Sequence, residues 1–311
     1  MSRFARLGPN QQGALLLMVS ALGATINSTL AKLLANGGMD PFQIALARAF
    51  FAFGALLPFL LRGGIARFRT RHPWVHFWRA TVGSAAMFLG IYAVAHLPLA
   101  TVTALSFTTP LFTVVLAAIL LKEAVRWRRW SATAVGFAGV LMMVRPGAET
   151  FDPNALAALT AALFVALAAT LVKRFPPGES QAVMLFYFCV TSLLVAVIPA
   201  IAVWRQPTWQ EWILLAGVGL VGVAAHALFL KAFRTGEASF IAPFDYTKLV
   251  FAGLIGFLLF GEVPDAWTLG GAAVIIASTL YIARREARLV RQARRAAPPP
   301  APDQGGAGPE R

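Results

Sequence analysis

Ten apolar runs, each about as long as a bilayer crossing, leave this chain almost no sequence for anything else. They cover 13–35, 41–61, 77–95, 99–121, 127–144, 154–172, 182–203, 212–230, 239–260 and 266–283. A helix needs about 20 apolar residues to cross a ~30 Å hydrocarbon core. With 58% of the 311 residues hydrophobic and 13% charged, far from the balance of soluble domains, the expected class is an all-α integral membrane protein with no soluble domain. The single Cys189 excludes an intramolecular disulfide or a thiolate metal site. The first run follows a short basic stretch but lacks a small-residue cleavage site, so residues 1–12 are read as a retained cytoplasmic N-terminus and not a signal peptide. Beyond Ala296 the chain reads APPPAPDQGGAGPER, so 285–311 is expected to be a basic, then disordered, cytoplasmic tail.

The net charge of +14 reports topology. With the N-terminus in the cytoplasm, the inward-facing segments hold twenty Lys and Arg, and the outward ones only Arg145 and Arg205. The positive-inside rule then puts both termini in the cytoplasm and the protein in the inner (plasma) membrane. The lipid bilayer is the partner of this basicity, and nucleic acid is not.

The two halves echo each other. At an offset of 139, residues 95–125 fall on 233–264, with Thr108 on Thr247 and Glu123 on Glu262; an offset of 141 sets Thr29 to Lys32 on Thr170 to Lys173 and Pro58 on Pro199. Each half, 13–145 and 152–284, is five helices long. Five is odd, so the second half enters the bilayer from the opposite face, as two inverted five-helix repeats around a central cavity.

The stretch LPLATVTALSFTTPLFTVVLAAILLKE (97–123), the helix WSATAVGFAGVLMMVRP (130–146) and the weaker echo in 235–284 resemble the ten-helix, two-EamA-repeat branch of the drug/metabolite transporter superfamily. The resemblance implies a carrier of small organic metabolites working by alternating access, with some members exporting amino acids and others importing metabolites. Gly261 stands where the first half has Lys122, so a shared Lys-Glu pair is not expected.

Depth sorts the intramembrane charges. Lys32 is ~5 Å from the outer end of its helix, and Arg79 lies near the inner start of the third, so both are expected to snorkel to headgroups. Arg48 is ~10 Å and Lys248 ~14 Å from the nearer surface, close to the midplane. A charge there costs ~3 to more than 10 kcal/mol against lipid, so both should face the interior. Asp245 is the only acid expected well inside a span, and it lies one turn from Lys248 on the same face.

His226, on the eighth helix, is expected at nearly the depth of Asp245, where the two could share a proton or a cation. Ser106, Thr108 and Thr109 correspond to Asp245, Thr247 and Lys248. Pro110 and Pro243 should break both helices nearby. Asn27, Ser28, Tyr92, Tyr187 and Tyr246 add hydrogen bonds or rings. The set suits a zwitterionic small molecule, with carboxylate toward Lys248 or Arg48 and ammonium toward Asp245 or a ring; amino acids fit, and export is favoured over uptake.

GVGLVG (217–222) matches a dinucleotide fingerprint but lies inside an apolar helix, where small residues permit close packing. Gly136, Gly139, Gly270, Gly271 and Ala273 could pack within the bundle or against a second subunit; a monomer suffices. No Walker loop is present, so ATP does not drive transport directly and no cofactor is implied. An intramembrane enzyme would need clustered carboxylates or a nucleophile and base, which this pattern lacks; a passive channel and an uptake permease are the remaining alternatives.

Overall fold

A computed structural model describes residues 7–62, 70–149, 151–172 and 181–296. Its helices, in chain order, are α1 (Pro9–Asn36), α2 (Pro41–Arg62), α3 (Pro73–His96), α4 (Leu99–Ser106), α5 (Thr109–Leu120), α6 (Trp127–Val144), α7 (Asn154–Val172), α8 (Gln181–Ala202), α9 (Trp209–Thr235), α10 (Ala238–Ile241), α11 (Thr247–Phe260) and α12 (Ala266–Ala296), with a 3₁₀ segment, Ala242–Tyr246, between α10 and α11. No strand occurs among the described residues. Among the described residues, eight helical segments are long and apolar enough to cross a membrane, and Pro41–Ala55 is a shorter apolar stretch. This is a multi-pass membrane protein. α12 runs on through the basic part of the expected tail to Ala296; residues 297–311, where disorder is expected, lie outside the described set, as do Arg3, Arg6, Arg67, Arg69, Lys173 and Arg174.

Helix starts follow local chemistry. Pro9, Pro41 and Pro73 each open a helix, where the missing N–H costs nothing. Thr208 and Glu211 form a reciprocal cap on α9: the Glu211 amide donates to the Thr208 hydroxyl at 3.3 Å, and the Thr208 amide to the Glu211 carboxylate at 2.8 Å. Asp265 caps α12 by accepting the Thr268 amide at 2.8 Å. Hydrogen bonding from Thr268, its hydroxyl first, and the charge of Arg145 hold the Asp265 carboxyl below its ordinary pKa.

Lipid supplies no hydrophobic drive between helices, so the bundle is held by close approach of small residues and by buried polar bonds. Along α1 and α9, Gly13 meets Gly236, Gly23 meets Ala225, and the Ser20 hydroxyl donates to the Ala225 carbonyl at 2.8 Å. Gly219 lies against Phe51 and the Arg48 carbonyl of α2, so GVGLVG packs helices as its context implies. Between α3 and α8, the hydroxyls of Ser84 and Ser192 bond at 2.7 Å.

The glycines of α6 and α12 pack inside the bundle. A Cβ on Gly271 would lie 2.4 Å from Met143 Cγ and 2.5 Å from the Gly139 carbonyl, and one on Gly139 2.8 Å from the Gly271 carbonyl. The Ser278 hydroxyl donates to the Ala132 carbonyl beside them. At Gly270 the nearest atom to such a Cβ is the flexible end of Met142, at 3.5 Å. Gly271→Ala is therefore expected to destabilise by about 1–3 kcal/mol through overpacking, and Gly270→Ala to leave the detergent melting temperature close to that of the parent. Equal melting temperatures for the two variants would contradict this crossing.

Candidate functional site

The interior charges gather along one face of α9. Gly222 and His226 lie one turn apart, and Phe229 follows. Against Gly222 sit Asn27 of α1 and Arg48 of α2: a Cβ there would be 3.0 Å from Asn27 Nδ2 and 3.7 Å from Arg48 Nε. Asn27 donates to the Val218 carbonyl of α9. At the other end of the face, Lys248 Nζ stands 5.5 Å over the Phe229 ring and 2.6 Å from the Asp245 carboxylate. The His226 ring stacks on Phe229 at 6.4 Å between centroids and lies within the electrostatic reach of both Arg48 and Lys248.

These cations differ in one respect. Lys248 is neutralised by Asp245 of the 3₁₀ segment just before its helix, whereas the guanidinium of the half-buried Arg48 has no hydrogen-bond or ion-pair partner among the described residues. His226 meets Phe229 and the two cations, and it does not bond Asp245, so the expected shared proton between them is not formed.

Asp245 and Lys248 straddle a helix break. The run 238–260 is interrupted by the 3₁₀ segment with Pro243 in its first turn, and 99–120 breaks between Ser106 and Thr109, just before Pro110. The Thr108 hydroxyl donates to the Leu105 carbonyl at 2.6 Å, and the Thr247 hydroxyl to the Phe244 carbonyl at 2.7 Å, the same bond at an offset of 139. Both helices also end alike. Lys122 (φ 54°) and Gly261 (φ 67°) are left-handed, and the next residue's amide returns to Ala117 and Gly256, respectively, at 3.2 and 3.1 Å. What Lys122 and Gly261 share is this backbone turn.

Lys32 does not snorkel. It is 6% exposed, ion-paired with Glu262, donates to the Leu97 carbonyl at 2.6 Å and lies 5.4 Å over the Phe260 ring. Glu262, in the turn after α11, is therefore a second acid that pairs with a cation inside the protein, at the end of the spans and not within one. Its other oxygen accepts the Leu99 amide at 2.8 Å, capping α4 from another helix. Gly256 makes room: a Cβ there would be 2.8 Å from Glu262 Oε2. At the same end, Arg145 pairs with Asp265, and Arg205 with Glu211. Arg205 also donates to the Gly37 carbonyl at 3.1 Å and accepts the Gln43 amide at 2.7 Å. Arg79 likewise turns inward, donating to the Met184 carbonyl of α8 at 2.9 Å.

The model of the EamA-like transporter family matches twice, over residues 11–145 and 153–284. The chain belongs to the EamA-like transporter family. It is similar to the S-adenosylmethionine uptake transporter of Rickettsia bellii, 35% identical over 85% of this chain and 91% of that protein. The riboflavin transporter of Vibrio cholerae is 31% identical over 91% of this chain and 96% of its own length. The pseudopaline exporter of Pseudomonas aeruginosa is 28% identical over 88% of this chain and 96% of its own length. A solved crystal structure superposes with a TM-score of 0.58 at 20% identity, covering 89% of this chain and 99% of the other, which supports the fold. This EamA-like protein is a small-metabolite transporter and not an enzyme.

The remaining expected residues of the transporter are placed elsewhere. Tyr246 bonds the Thr279 hydroxyl of α12 and stands edge-on to Phe107 at 4.6 Å, so the two breaks meet there. Ser106 and Thr109 bond back to Thr103 and Ser106 carbonyls, at 2.6 and 2.8 Å. Tyr92 stacks on His96 and donates to Asn154 at 3.1 Å, joining α3 to α7. Tyr187 stacks on the buried His76. Sequence reasoning missed Phe229 and Glu262; the Glu123–Glu262 match pointed at the second.

Removing one partner of a buried ion pair strands the other. Lys32→Met and Glu262→Gln singly are expected to cost this transporter about 3–5 kcal/mol, and together much less than the sum. Melting temperatures of the three variants in detergent measure the difference; additive losses would refute the pair.

Proposed function

We propose that this chain is a secondary transporter for zwitterionic metabolites built on an amino-acid head, with S-adenosylmethionine the first candidate, moved by alternating access between two five-helix repeats of opposite orientation. The observation that carries the reading is the unpartnered Arg48 guanidinium on the α9 face that also carries, about two turns on, the already neutral Lys248–Asp245 pair. A planar guanidinium holds a carboxylate through two parallel bonds, so Arg48 takes the substrate carboxylate. The substrate's ammonium or sulfonium takes Asp245 and the Phe229 ring.

Lys248 Nζ takes the place of that cation, over the same ring and against the same carboxylate. An arriving substrate displaces it. Ten crossing helices and the inverted arrangement are supported by the twofold family match, the paired helix breaks and the paired left-handed caps. The twenty-to-two bias of basic residues supports an inner-membrane protein with both termini cytoplasmic. The ion-paired end then faces outward, and the contacts of Lys32, Arg145 and Arg205, each joining the two matched segments, separate when the site opens to that side.

The sequence favoured free amino acids and export. The proposal keeps the amino-acid head and takes uptake as its direction, because the relative at 35% identity is an uptake transporter and the exporter is at 28%. Labelled S-adenosylmethionine offered to reconstituted liposomes is expected to enter saturably and to exchange in counterflow. Failure of entry with this and with labelled amino acids, or linear non-saturating flux, would overturn the reading.

Arg48→Gln is expected to remove uptake by at least tenfold, since a bond to a charged group is worth about 1.5–3 kcal/mol. Lys248→Met leaves Asp245 alone whenever the carrier is empty, and an unpaired charge inside the bundle costs several kcal/mol. Net uptake by this variant should fall far more than counterflow, in which the carrier crosses loaded. Equal loss of both would remove Lys248 from this role.

A further inference from the structure

Away from the charged face of α9, a second cluster of cations lies between α6 and α12. Arg126, Arg129 and Arg285 line a cavity of about 170 Å³ together with Tyr281, Ala124, Val125 and Ile282. The rim is cationic and the floor is apolar, because Val125 and Ile282 belong to the small core of Leu111, Val114 and Ala132. Arg126 and Arg285 meet no carboxylate among the described residues. The cavity lies where α5 turns into α6, at the end of the bundle opposite Arg145 and Asp265.

Its neighbours place it at the level of lipid headgroups. Trp127 and Trp130 are 72% and 43% exposed beside it, and Tyr281, on its wall, is 48% exposed. Such aromatic residues sit at membrane–water boundaries. Lys122, Arg128 and Arg284 also lie close in sequence and, with the arginines of the cavity, outnumber Glu123 and Glu286, so the local field is positive. Basic pockets between transmembrane helices at such a boundary are built to take anionic headgroups.

We infer that this cavity binds the phosphate of an anionic phospholipid, with Arg126 and Arg285 on the phosphate oxygens, the Tyr281 hydroxyl beside them and Val125 and Ile282 under the glycerol and first acyl carbons. The apolar floor is what selects a lipid over a free phosphate ion, which has no use for it. The helices that form the cavity are those joined at Gly139 and Gly271, so a lipid held there bridges the two segments of the family match. The inference is independent of the transported substrate.

The test uses the full chain in detergent. Melting temperature and native mass spectra are recorded with phosphatidylglycerol, with phosphatidylcholine at equal molar ratio, and with inorganic phosphate alone. Phosphatidylglycerol is expected to raise the melting temperature and to remain bound in the mass spectrum, and phosphatidylcholine to do neither. Each arginine removed should weaken retention about fivefold. Arg126→Gln/Arg285→Gln should therefore lose most of the shift, and Arg284→Gln, on the exposed face, should keep it. A full shift in the double variant, or equal shifts with the two lipids, overturns the inference. A shift with inorganic phosphate alone that the double variant abolishes overturns the lipid as the occupant.

Discussion

Every charge inside this bundle has to be answered inside it, because hydrocarbon offers neither water nor counter-ion. That constraint explains the company each ion keeps. Glu262 folds back over Gly256 to reach Lys32, and Lys32 spends a further proton on the Leu97 carbonyl and lies over Phe260. Asp245 and Lys248 satisfy each other across the start of α11, with Phe229 as a second partner for the cation. Arg48 breaks the pattern, and that break is the ground on which a substrate carboxylate is proposed there.

The packing is subordinate to the same charges. Gly219 lets α9 close on Phe51 and on the carbonyl of Arg48 itself, and Gly222 leaves room for Asn27 and the Arg48 side chain. A side chain at Gly219 would push α2 outward and carry the guanidinium off the face shared with His226, and one at Gly222 would crowd Asn27 of α1. The glycines of 217–222 therefore set the site by what they omit. Gly139 and Gly271 do comparable work on the far side of the molecule, where no charge is at stake and only close contact is needed.

Hydropathy made the helical runs legible, and Pro110 and Pro243 made both breaks legible, because each depends on local chemistry. Azimuth was not legible. Depth along α1 gave Lys32 an easy route to the headgroups, but its partner lies 230 residues away in the turn after α11. An ion pair between turns leaves no periodic trace in either helix. The partners of Tyr92 and Tyr246 were illegible for the same reason: a ring's depth says nothing of whether its hydroxyl reaches Asn154, Thr279 or neither. The inward placement of Arg48 and Lys248 was legible because at the midplane a charge can only face the interior.

The internal echo is strongest in the backbone and weakest in the charges. Thr108 and Thr247 make the same hydroxyl bond, and Lys122 and Gly261 adopt the same left-handed turn, since these serve helix breaks and ends that both halves need. Ser106 and Thr109 match Asp245 and Lys248 in position and differ in charge. If the halves are exchanged by an inverted symmetry, as proposed, matching charges would present the substrate with two equivalent poses, and a zwitterion could bind in either sense. On that proposal, hydroxyls on one side and an ion pair on the other would leave one pose, with carboxylate toward Arg48, and the departure from the repeat would be what gives the site its polarity.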